Sequence, residues 1–177
     1  MWRMIFLSVA AAVLATGALA EKYETTQLFR RGAWYVELTH DTEDGELWCS
    51  AETGNSEAQA ISVTAYEDGG VMLFVFDNRW QLSARDVRFF VDIDRSRWTI
   101  DGYADGIGIS APLSDSDRAG DFLYQLARGN AARVYNDAGQ QLAGFSLSGS
   151  SAALGSLMEC WDSIMPGFDG KSRKDPF

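Results

Sequence analysis

Polar and apolar residues alternate with a period of two over much of this chain. In Trp34–Thr39, Trp34, Val36 and Leu38 fall on one side and Tyr35, Glu37 and Thr39 on the other, the mark of a half-buried strand. Thr42-Glu43-Asp44-Gly45 reads as a turn. Beyond it Leu47, Cys49 and Ala51 face inward from a second strand, which puts Cys49 in the core layer. Ile61, Val63 and Ala65 alternate in a third. Asp68-Gly69-Gly70 signals a hairpin, and Val71–Phe76 is apolar on both faces, as in a strand that is central or covered twice. Val87, Phe89, Val91 and Ile93 alternate up to a turn at Arg95-Ser96, and Trp98 and Ile100 continue the inward row after it. Ile107 and Ile109 mark another short strand. Ala132–Tyr135 and Gln141–Leu147 are strands joined by Asn136-Asp137-Ala138-Gly139. Glu21–Phe29 and Asn55–Glu57 lack the alternation and are expected to be a loose start and a loop.

The period lengthens to the helical value twice. Ser114 with Asp117 starts a helix near residues 115–128, with Phe122, Leu123, Leu126 and Ala127 on one face and Gly129 just past its end. A second helix is expected near 151–160, with Leu154, Leu157 and Met158 on one face and Cys160 at its end. Ser148, Ser150 and Ser151 at its start are expected to cap it. The pattern therefore predicts a mainly β fold: an antiparallel β-sandwich or partly closed barrel of about eight to ten short strands, with two short helices.

The first twenty residues belong to neither pattern. Arg3, the apolar run Met4–Leu14 and Ala18-Leu19-Ala20 read as a secretory signal peptide cleaved after Ala20, with an apolar core too short for a membrane span. This leaves a single β-rich domain over 21–165 and a basic flexible tail over 166–177, with no transmembrane segment after cleavage. Export changes the reading of Cys49 and Cys160. Two cysteines in an oxidising compartment favour a disulfide. Its loop of about 110 residues would contribute ~4–5 kcal/mol in the chain-entropy model.

Charge narrows the partners. The formal net charge of −10 becomes −11 once Arg3 is removed. Such a surface is a poor match for nucleic acid or anionic lipid. Between Gly32 and Asn78 there is no Lys or Arg but ten acidic residues, and five arginines follow between Arg79 and Arg97. Two readings stay open: neighbouring strands whose outer faces attract each other, or an acidic face for a cationic partner.

Catalytic patterns are poor. The single histidine, His40, adjoins Asp41, but neighbours on a strand point to opposite faces and make no automatic dyad. Gly144-Phe145-Ser146-Leu147-Ser148 misses the nucleophile elbow at its last position. A calcium loop begun at Asp92 fails, with Arg97 and Tyr103 where Gly and Glu are needed. Asp92, Asp94 and Asp101, with Arg88, Arg95 and Arg97 nearby, read as a surface charge network. No catalytic residue, cofactor or metal is expected. Trp48 and Tyr35 share the outer face, where an exposed aromatic pair would mark a binding surface and a covering helix would bury it.

Trp34-Tyr35-Val36, Cys49 in the next strand, and Phe145–Leu154 closing on Cys160 resemble the invasion-associated locus B family of small exported alphaproteobacterial proteins. The resemblance implies a periplasmic β-rich domain without established enzymatic activity, and in some members a link to host-cell invasion. The expectation is a non-enzymatic envelope domain that binds a protein partner, with Tyr35, Trp48, Glu43, Asp44 and Glu46 as candidate contacts. The alternatives are an inhibitor of a cationic, lysozyme-type cell-wall hydrolase and a hydrolase using His40.

Overall fold

The computed structural model describes residues 22–56, 58–113 and 116–166. The expected signal peptide, the tail beyond Pro166, Glu57 and the Ser114 cap lie outside the described residues. Ten strands form one antiparallel sheet: β1 (Tyr23–Arg31), β2 (Trp34–Asp41), β3 (Leu47–Ser56), β4 (Gln59–Tyr66), β5 (Val71–Asp77), β6 (Leu82–Ile93), β7 (Ser96–Gly106), β8 (Gly108–Pro112), β9 (Ala131–Asn136) and β10 (Gln141–Ser146). The spatial order is β1-β2-β3-β4-β5-β8-β7-β6-β9-β10. Two helices complete the fold, α1 (Ser116–Arg128) and α2 (Ser150–Ile164).

The register aligns the inward rows. Val36 faces Ala51, Ala51 faces Val63, and Val63 faces Leu73. On the other half of the sheet Phe89 faces Ile100, and Val134 faces both Val91 and Ala143. These residues form one buried apolar cluster with Phe122 and Leu126 of α1 and Leu154 and Leu157 of α2. Burying such rows from water is the main stabilising term of the fold.

The sheet curls but does not close through a backbone ladder. β10 comes instead against the ends of β3 and β4, where side-chain amides take its edge carbonyls. Asn55 Nδ2 donates to the Gly144 carbonyl at 2.8 Å, and Gln59 Nε2 donates to the Leu142 carbonyl at 3.0 Å. Two free carbonyls of this edge strand are thereby satisfied without another strand.

Both helices plug the opposite end of the curl. Trp98 packs edge-on against Phe122, with ring centroids 5.4 Å apart, and its indole N–H donates to Gln125 Oε1. Cys160 of α2 is disulfide-bonded to Cys49 of β3, and Trp161 Nε1 donates to the Tyr66 carbonyl at 2.8 Å. The bridge therefore staples the last helix to an early strand. No described helix is long and apolar enough to cross a membrane.

The fold corrects several local expectations. Tyr23–Arg31 is a strand, not a loose start. It is exposed along almost its whole length, so no buried face leaves an alternation in the sequence. β3 runs on through Asn55 and Ser56, with Ser56 paired to Gln59. Ile107 is half-exposed in the β7–β8 turn and belongs to neither strand. α2 continues a turn past Cys160, because Trp161 and Ile164 still pack against the core. The serines do not cap α2. Its N-cap is Gly149, with no side-chain bond, while the buried Ser150 hydroxyl donates to the Leu126 carbonyl at 2.8 Å and so ties α2 to the end of α1.

Candidate functional site

Both described helices pack against the inward rows, so the chemistry of the outer face follows from the register. Thr39, Trp48 and Tyr66 stand side by side across β2, β3 and β4. Tyr23 enters from β1 and meets Trp48 edge-on at 5.8 Å, and Trp48 meets Tyr66 at 6.1 Å. Tyr23 is half-exposed, and Trp48 and Tyr66 are half-buried. The three rings thus form a continuous aromatic strip at the helix-plugged end of the sheet. Pairs of this geometry prefer edge contacts through their quadrupoles, and the Lys22 ammonium stands over the Tyr23 ring, 5.3 Å from its centroid.

Acidic turns frame the strip. Asp41 is buried and holds the β2–β3 turn, accepting from the Glu43 amide at 2.9 Å and the Asp44 amide at 3.4 Å. Gly45 in that turn has a φ of 77°, a backbone state that suits glycine. Asp44 and Glu46 project from the turn into solvent. Across the sheet, Asp68 caps the β4–β5 turn through the Gly70 amide at 2.8 Å. Burial pushes the Tyr66 hydroxyl above its ordinary range, and the negative charges of Glu46 and Asp68 push it further. The acids of both turns therefore act electrostatically on one ring of the strip. Lys22 is the cation that meets this cluster, 2.9 Å from Glu43 and 3.8 Å from Asp41, and the Glu43 hydrogen bond holds its ammonium well above the usual lysine range.

The arginines of β6 and β7 do not neutralise this surface. Arg88 lies opposite Asp101 and forks onto it, and Arg97 lies opposite Asp92 and does the same at 2.7 Å. β5 pairs with β8, not β6, so the arginine-rich hairpin is not the neighbour of the acidic strands. Asp94 accepts from the Asn130 and Ala131 amides and secures the start of β9. Among the described residues no cluster of His, Cys, Asp or Glu could hold a metal ion.

The candidate contacts of the sequence divide accordingly. Trp48, Glu43, Asp44 and Glu46 belong to one hairpin, the acids in or beside its turn and Trp48 at the start of β3. Tyr35 shares their face but stands four residues along β2 from Thr39, the partner of Trp48, a separation of about 13 Å. Its hydroxyl donates to Glu52, with the Arg30 guanidinium 5.3 Å over its ring. Burial pushes the Glu52 carboxyl up, against the Tyr35 hydrogen bond, and the nearby Glu37 adds to the rise. Tyr23, Tyr66 and Asp68 were not legible as contacts, since Tyr23 lies in the strand without alternation and the other two in a segment read only as a hairpin. His40 lies 3.7 Å from Glu24, at an exposed strand end.

Comparison with protein-family models, with curated proteins and with solved structures returns no match.

Proposed function

We propose that this chain is an exported, non-enzymatic envelope domain of invasion-associated locus B type, periplasmic after cleavage behind Ala20, which docks a basic segment of a protein partner. The observation that carries the reading is the aromatic strip Tyr23–Trp48–Tyr66 beside the turns that bear Glu46 and Asp68. Partly exposed rings offer contact area at low entropic cost, and ring faces attract Lys and Arg. The flanking carboxylates add complementarity and steer a cationic partner during encounter. The family assignment rests on the residues that carry the resemblance, and export on the N-terminal pattern with the Cys49–Cys160 bridge in support.

The test is a pull-down from envelope extract with the wild-type chain and with Glu43, Asp44 and Glu46 reversed to Lys. The wild type should recover a partner at low salt, with recovery falling as salt rises, and the triple variant should lose it. Unchanged recovery by the variant removes the acidic surface from the reading. The same surface favours one second reading, inhibition of a cationic lysozyme-type hydrolase. Its test is a lysozyme activity assay, in which no inhibition at micromolar concentration dismisses it.

A further inference from the structure

The two helices plug one end of the curled sheet and leave the other open. There the inward rows end in a cavity of about 370 Å³, with Val87, Phe89, Ala104 and Ile109 as its floor and Trp80 and Leu142 on its walls. That volume lies in the range of small-molecule sites. The floor is apolar, while Arg85, Asp86, Arg88, Asn136 and Asp137 make the rest of the lining polar, as an amphiphile's two ends would need. The wall is rigidly built. Asp77, buried at the end of β5, accepts from the Arg79 amide and guanidinium and from Gln59 Nε2, and its carbonyl accepts from the Trp80 amide at 2.9 Å.

One charged residue stands in the inward row at the rim. Arg85 pairs with Ala104, one step outward from Val87 on the same face of β6. Its guanidinium donates to the Ser83 carbonyl at 3.0 Å, and among the described residues no carboxylate lies within ion-pair distance of it. Arg79, Arg88 and Arg97 differ in that each grips an aspartate. Asp86 and Arg88 also border the opening, but from the other row of β6, opposite Tyr103 and Asp101. Asp137 in the β9–β10 turn completes the rim.

We propose that this mouth binds a single-chain amphiphile with a carboxylate head: the apolar chain on the Phe89 floor and the carboxylate forked onto Arg85. A guanidinium matches a planar carboxylate through two parallel hydrogen bonds. Asp137 on the same rim disfavours a head with two negative charges. This site lies at the opposite end of the fold from the aromatic strip and its acidic turns and stands independently of the partner-binding reading.

The experiment titrates the purified, disulfide-intact chain with dodecanoate and with dodecanol, both below their aggregation limits, by calorimetry and tryptophan fluorescence. The expected result is saturable one-to-one binding of dodecanoate, with dodecanol at least tenfold weaker. Arg85→Gln should weaken dodecanoate at least tenfold with an unchanged melting temperature, because the side chain is exposed. Leu142→Trp should block the cavity and abolish binding. Should that variant melt early, Trp80→Phe replaces it, and loss of most of the fluorescence change with binding retained in calorimetry places the chain in the mouth. Absence of saturable binding, equal affinity for the alcohol, or unchanged affinity in Arg85→Gln overturns the proposal.

Discussion

Glu52 is a carboxylate whose surroundings work against its charge. It is half-buried, it accepts from the Tyr35 hydroxyl, and its carboxyl is pushed up chiefly by burial. The folded chain therefore takes up this proton at a higher pH than the unfolded chain. The stability linked to the group is present at low pH and is lost as pH rises from about 4.3 through the raised folded value. Glu52→Gln keeps an acceptor for Tyr35 and removes the charge. The variant should melt above the wild type at pH 7 and level with it at pH 4, as thermal unfolding at the two values would register. A gain of equal size at both values would remove ionisation as the cause. Trp48 and Tyr35 could be assigned to one face from the sequence because strand alternation fixes faces. Their separation along that face depended on register, which no local pattern reveals.

At the level of elements, the sequence carried the strands and helices that bury a face. β2 through β10 each contribute inward residues to the core, and their alternation was readable. β1 contributes only the partly buried Phe29, so its ladder of eight residue pairs with β2 left no periodic trace. Ser150 shows a different limit: its residue type fits a helix cap, but the end of α1 lies within reach and takes its hydroxyl. The disulfide was readable from the expected export and the cysteine count, and its energetic weight follows from the separation of 111 residues. A Cys49→Ala/Cys160→Ala variant should lose ~4–5 kcal/mol of unfolding free energy through the larger freedom of its unfolded chain. Urea titration of both proteins measures this, and a loss below about 1 kcal/mol would make the staple redundant with the packing of α2.

Across the whole molecule, the two ends of the curl are built differently. Helices and a disulfide fasten one end; side-chain amides fasten the other. Gln59 is the joint of that second end, donating from one nitrogen to Asp77 Oδ2 at 2.8 Å and to the Leu142 carbonyl at 3.0 Å. It thereby links the wall of the mouth to the free edge of β10. None of this was legible, because a single glutamine at a strand start has no pattern until β10 folds against it. Gln59→Ala strands the Leu142 carbonyl and removes one donor from the Asp77 carboxylate, while Arg79 still grips that group. Leaving such groups unmatched costs about 1–3 kcal/mol, and the loss should be local to the seam. Native-state hydrogen exchange should show β9 and β10 amides exchanging faster, with β4 and β5 unchanged. Asn55→Ala releases the neighbouring Gly144 carbonyl from the same seam. The double variant should then cost less than the two single variants added together, since opening the seam once exposes both carbonyls. Equal acceleration in every strand would instead make Gln59 a general stabiliser and leave the closure of the curl to the core alone.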